Sequence, residues 1–256
     1  MNVALDVALA CLAAGYAWCW RRARQARAPG MSVVRLVAFL VGVISLWAGV
    51  ASPIAHLDQG HLTGHMLQHL LIMTVAAPLL LLGDPARVWR LSWRREPPAP
   101  SWLSPRLVPC WLAGTLVVLV WHVPVIFALG MRWHGFQHAT FLVAGLLFWL
   151  PVARPWPFAL TFSGWAIPAY LFLATLPCDA LSAFLAFCGR VVYPHYDAMH
   201  AACCISPLED QQRAAALMWF WVTIAYVVPA ALVTFRLLSP EQKSARHGAP
   251  TAVVQP

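Results

Sequence analysis

His61, His65, His69 and Met73 recur at every fourth position of one apolar run. On an α-helix, residues at i, i+4, i+8 and i+12 lie along one stripe. Met66 stands beside it, one position after His65 and three before His69. A neutral imidazole offers a nitrogen lone pair and a thioether a soft sulfur, and together they suit Cu(I). Imidazole alone serves zinc equally well. Against this stands a plainer use of the same residues, since histidines on packed helices also hydrogen-bond across to neighbours and hold a bundle together.

The elements that must position these side chains follow from composition. Of 256 residues, 61% are apolar and only 10% are charged. Soluble domains carry about 25% charged residues and 45–50% apolar ones. A water-soluble globule and a disordered chain are both excluded, and the chain reads as an integral membrane protein. Crossing ~30 Å of hydrocarbon takes about 20 predominantly apolar residues. Seven segments qualify, at roughly 2–20, 33–54, 64–83, 108–129, 137–153, 164–188 and 214–237. The fifth is short and is expected to extend back through His134. The fold class is therefore all-α, a polytopic transmembrane bundle of seven helices. Residues 1–238 form one domain, and 239–256 a disordered cytoplasmic tail. The Pro-rich stretch at Pro97, Pro98 and Pro100 reads as linker.

The formal charge of +8 does not report nucleic-acid binding, because the basic residues sit in short runs between apolar segments. Fourteen of the seventeen Lys and Arg fall in loops 21–35 and 84–106, at Arg154 and in the C-terminal tail. Only Arg132, Arg190 and Arg213 lie on the other side. The positive-inside rule then puts the N-terminus outside and the C-terminus in the cytoplasm. The first segment lacks a basic region before it and is followed by its arginines, so it reads as an uncleaved anchor rather than a signal peptide.

With that orientation, nine of the ten histidines are external or in the outer half of the membrane. His56 and His61 precede the third segment, and His122 lies near the outer end of the fourth. His134 and His138 open the fifth, and His195 and His200 sit in the loop before the seventh. Intramembrane ionisable residues are functional candidates by default, and this one-sided clustering with methionines favours a metal or redox-cofactor role. The candidate metal ligands are His65, His69, His122 and His138, with Met66, Met73 and Met218 as softer contributors. Asp210, just before the seventh segment, could complete the site, orient a histidine from behind, or cap its own helix, the reading its spacing favours. Cys11, Cys19, Cys110, Cys178 and Cys188 read as small packing residues. The adjacent Cys203 and Cys204 lie in an outer loop, with spare thiols the plainer reading and soft-metal binding or a strained disulfide the alternatives. No nucleotide-binding loop, zinc-protease motif or nucleophile elbow occurs, so an enzyme is not expected.

The run His65-Met66-Leu67-Gln68-His69, followed by Ala77-Pro78-Leu79-Leu80-Leu81-Leu82-Gly83-Asp84-Pro85, resembles the signature of the CtaG family, the caa3-type cytochrome c oxidase assembly factors of bacterial membranes. Three further matches follow in order. They are Trp121-His122-Val123-Pro124, then His138 to Phe141 with Gly145 to Val152, then Asp210-Gln211-Gln212 with Met218-Trp219. Together they span residues 65–219, while 190–206 matches no motif. The resemblance implies a multi-pass protein of the bacterial cytoplasmic (inner) membrane that assembles haem–copper oxidase through copper delivery. Its partners would be oxidase subunits, the lipid bilayer and periplasmic copper chaperones, with no nucleic acid. Copper as Cu(I) is the expected cofactor. A haem-binding electron-transfer protein, a copper permease and a metal-free oxidase-docking protein remain alternatives.

Overall fold

The structure is a computed structural model that describes residues 3–52, 61–93, 106–130, 132–153, 163–194 and 205–239. His56, Pro97, Pro98, Pro100, Arg154, His195, His200, Cys203, Cys204 and the expected tail after 239 lie outside the described residues. All regular structure among the described residues is helical: α1 Val3–Gln25, α2 Val33–Val50, α3 Leu62–Leu70, a π-helical turn Leu71–Ala76, α4 Ala77–Leu82 and α5 Pro85–Ser92. There follow α6 Leu107–Trp121, α7 Pro124–Gly130, α8 His134–Ala153, α9 Ala166–Phe187 and α10 Pro207–Leu238. Among the described residues, six helices are long and apolar enough to cross a membrane, up to seven when the bent pair α6–α7 is counted as one span. The protein is a multi-pass membrane bundle.

The third span is its axis. Some 61% of the best apolar window in Leu62–Ser92 is buried, against 17–44% for the other five spans. α10 packs on α9 and α3, α8 packs on α6, α4 and the π turn, and α2 covers the π turn and α4. α1 stands at the periphery, where Leu9, Tyr16 and Trp20 meet Phe39 and Val43 of α2 and Val88 of α5.

Two departures from straight helices were not expected. The fourth span turns by 89° between Trp121 and Pro124. Pro124 disfavours helical geometry at the residue before it, so α6 stops after 15 residues. At 1.5 Å per residue it is about 22 Å long, and α7 turns aside after it, in place of one helix over 108–129. The third span widens at Leu71–Ala76, where Ala77 N–H bonds back to Ile72 O across five residues. Pro78 is the cause: it has no N–H, and its ring would strike the carbonyl four residues earlier. Local π adjustment is how membrane helices accommodate such a proline.

That turn is braced from both sides. Trp149 Nε1–H of α8 donates to Met73 O at 2.9 Å. Thr74 Oγ1–H donates to Leu70 O at 2.6 Å and accepts from Trp221 Nε1–H of α10 at 2.8 Å. Gly145 lets α8 approach, since a Cβ there would lie 3.0 Å from Ala77 Cβ and 3.1 Å from Met73 O.

α10 begins with Ser206-Pro207-Leu208-Glu209, and Ser206 Oγ accepts from Glu209 N–H at 3.2 Å. Ser206 is thus the N-cap, with proline at the first helical position. This corrects the expectation that Asp210 caps its own helix, and it starts the seventh span at 207 rather than 214.

Candidate metal centre

Asp210 instead caps the helix that carries His65 and His69. Its carboxylate accepts from Leu62 N–H at 2.6 Å, Thr63 N–H at 3.3 Å and Thr63 Oγ1–H at 2.6 Å. α3 has no side-chain cap of its own: His61 stands at its N-cap in extended conformation, ahead of the helix. The expected four-residue stripe therefore begins in the helix at His65. A carboxylate at a helix N-terminus satisfies exposed donors and complements the helix dipole. Asp210 is 2% exposed, and these bonds fix the depth and rotation of α3.

Gln211 fixes the neighbouring loop in the same way. Its amide donates to Leu185 O and Arg190 O and accepts from Val192 N–H at 2.7 Å. This pins the chain leaving α9, so that Tyr193 Oη–H reaches His122 O at 2.9 Å. Burial pushes the Tyr193 phenol above the ordinary tyrosine range and keeps it a donor.

Between these braces the imidazoles assemble. His65 and His69 of α3 have ring centroids 4.2 Å apart. His134 lies 6.3 Å from His65, and His138 lies 5.9 Å from His69. Phe127 of α7 and Phe141 of α8 wall the pair, at 5.0 Å from His65 and 4.1 Å from His69. The bend at Pro124 is what carries Phe127 to this place. His138 Nε2–H donates to Gln68 Oε1 at 3.2 Å.

His122 Nδ1–H donates to Val118 O at 2.7 Å, which leaves the lone pair on Nε2. That atom and all four ring nitrogens of His65 and His69 are buried with no protein hydrogen-bond partner. A buried polar atom without a partner costs about 1–3 kcal/mol, so five together are far from ordinary core packing. They fit a metal ion chemically, as lone-pair donors in an apolar wall. Among the described residues, however, no three His, Cys, Asp or Glu side chains converge on one point.

Beneath the imidazoles lies a cavity of about 30 Å³ lined by Met66, His69, Met73, His122, Cys178 and Met218 among others. That is room for a water or a bare ion. The π turn contributes to it: winding by i→i+5 bonds is slower than α winding, and Met73 lines the same cavity as His69 one turn above. Below, Tyr226 borders the cavity and packs, tilted, against Phe148 and Trp149, at 5.1 and 5.8 Å between centroids, and Tyr170 completes the floor. Above, His122 also borders a second pocket of about 430 Å³, lined by Arg190 and Tyr193 among others.

The structure thus brings His65, His69 and His138 into one cluster, and His69, His122, Met66, Met73 and Met218 around one cavity. Asp210 caps α3, the helix that carries His65 and His69. Two participants were missed. His134 joins the imidazole cluster, and its place at the helix start, one turn before His138, was the available signal. Cys178 enters from α9, where nothing in the sequence separates it from a packing cysteine.

No curated protein and no solved structure shows significant similarity to the chain. A family model described as cytochrome c oxidase caa3 assembly factor matches residues 14–239, nearly the whole described bundle, and its span takes in every residue of the imidazole cluster and the cavity. The chain belongs to the cytochrome c oxidase caa3 assembly factor family.

Proposed function

We propose that this protein binds copper in the outer half of a bacterial cytoplasmic membrane and hands it to subunits of a haem–copper cytochrome c oxidase during assembly. The observation that carries the reading is the set of five buried ring nitrogens of His65, His69 and His122 that have no protein partner. Met66, Met73 and Met218 add soft sulfur beside them, the ligand mixture that suits Cu(I). His134 and His138 stand close by, with ring centroids of neighbouring histidines in the cluster 4.2–6.3 Å apart.

The aromatic floor of Phe148, Trp149, Tyr170 and Tyr226, each at most 5% exposed, opposes a path to the cytoplasmic side. A one-ended site that loads and unloads from outside suits delivery, with a periplasmic copper chaperone as donor, better than permeation. The cavity of about 30 Å³ between His69 and His122 has no room for a porphyrin, which favours an ion over haem. Delivery of this kind involves no turnover, so the role is not catalytic.

The test is copper content per chain after purification under reducing conditions. Wild type is expected near one copper per chain, with His69→Ala and His122→Ala both strongly depleted. Folded wild type that binds no Cu(I) would refute the reading. A Soret band in the purified protein would replace it with haem binding.

A further inference from the structure

We propose that the cavity below the imidazoles is a binding site selective for a monovalent soft cation, in which Cys178 is the anionic ligand and Met66, Met73 and Met218 are neutral sulfur ligands. This deepens the copper reading and rests on it. Four sulfur-bearing residues from three separate elements border one cavity of about 30 Å³: Met66 and Met73 of the third span, Cys178 of α9 and Met218 of α10. Each is at most 5% exposed. His69 and His122, both 7% exposed, border the same cavity, and the ring nitrogens they keep without partners mark it as a place for a ligand.

Charge decides which ion. Met and neutral His carry none, and among the lining residues the Cys178 thiol is the group that can most readily become an anion. Coordination replaces its proton by the metal: the S–H bond breaks, an S–Cu bond forms, and the proton leaves to the outer aqueous phase. Cu(I) with one thiolate is then electrically neutral. A divalent ion would retain a full positive charge against apolar and aromatic walls, which is unfavourable without a second anion. Asp210 does not supply that anion, because its carboxylate is engaged by Leu62 and Thr63. Asp179 follows Cys178 in sequence but faces Thr175 and Thr223 and does not border the cavity. Zinc, which imidazole alone would accept, is excluded on the same ground.

The full-length protein in lipid nanodiscs, held anaerobic and reduced, is titrated with Cu(I) against a Cu(I) chelator and separately with Zn(II). Copper-edge X-ray absorption reads the ligand atoms. The proposal expects sulfur scatterers on bound copper and no displacement by Zn(II). Cys178→Ser should weaken Cu(I) by at least about 10–100-fold, the range known for lesser changes around metal sites. Met218→Leu, which conserves volume, should weaken it less, and Cys110→Ser, away from the cavity, should leave it unchanged. Nitrogen-only coordination with Cys178→Ser and Met218→Leu both at wild-type affinity would overturn the sulfur site while leaving copper binding by the histidines intact. Equal affinity for Zn(II) would overturn the charge selection. Failure of folded wild type to bind Cu(I) at all would overturn the copper reading itself.

Discussion

Asp210 separates a positioning role from a ligand role, and its substitution can be worked through from its contacts. Its carboxylate takes hydrogen bonds from two backbone N–H groups and one hydroxyl at the start of α3. Bonds to a charged acceptor contribute about 1.5–3 kcal/mol each, and a buried donor left without a partner costs about 1–3 kcal/mol. Leu62 is 2% exposed, so water does not replace the lost acceptor there. Thr63 is only half-buried and its N–H bond is long at 3.3 Å, which discounts its share. Asp210→Ala is therefore expected to destabilise the protein by about 2–4 kcal/mol, bounded by those per-group values. For a protein of this size, that lowers Tm by roughly 5–15 °C. Asp210→Asn keeps one acceptor oxygen but turns an amide donor toward another N–H, and should fall about midway. Thermal unfolding in detergent gives the global number, and hydrogen exchange at Leu62 and Thr63 gives the local one. Copper affinity should drop only in step with the loss of order in α3. If Asp210→Asn abolished copper binding while Tm and exchange at residues 62–63 stayed at wild-type values, Asp210 would be a ligand and the capping argument would be wrong.

Three other substitutions test the scaffold around the site. Gln211→Leu removes three hydrogen bonds that hold the chain after α9; about 1–3 kcal/mol should be lost, and limited proteolysis should cut near 190–193 sooner. Trp149→Phe deletes the donor to Met73 O, for about 1–2 kcal/mol, and a thermal shift below experimental error would show that the π turn needs no brace. Gly145→Ala forces a methyl to within about 3 Å of Ala77 and Met73 O; overpacking of about 1–3 kcal/mol should appear as a lower Tm together with weaker Cu(I) binding, since Met73 lines the cavity. Unchanged copper affinity in a destabilised Gly145→Ala variant would detach the π turn from the site.

The two braces change what the Asp210-Gln211 pair means. One sets the start of α3, which carries His65 and His69, and the other sets the loop that meets His122 through Tyr193. Residues near a metal centre can matter through the backbone they hold, and their sequence position next to a helix start does not reveal which helix that is.

Composition and apolar segment length by themselves determined a helical membrane bundle, because only helices and closed β-barrels satisfy their backbone in lipid, and continuous apolar runs of about 20 residues fit the helix and not the barrel strand. The long apolar segments and the clustering of histidines around the third span were legible for the same reason: hydropathy and residue type are local properties. His65 and His69 were legible as neighbours because one helical turn separates them. The bend at Pro124 and the π turn before Pro78 carried a local signal in the prolines, but their outcome depended on what packs beside them. Only the tertiary structure decided that Asp210 caps α3 and not its own helix, that His134 joins the cluster, and that Cys178 of α9 meets Met66, Met73 and Met218 around one cavity. Those are contacts between residues up to about 150 positions apart, set by how helix faces rotate against each other. No local pattern encodes that rotation; it follows from the close packing of the whole bundle.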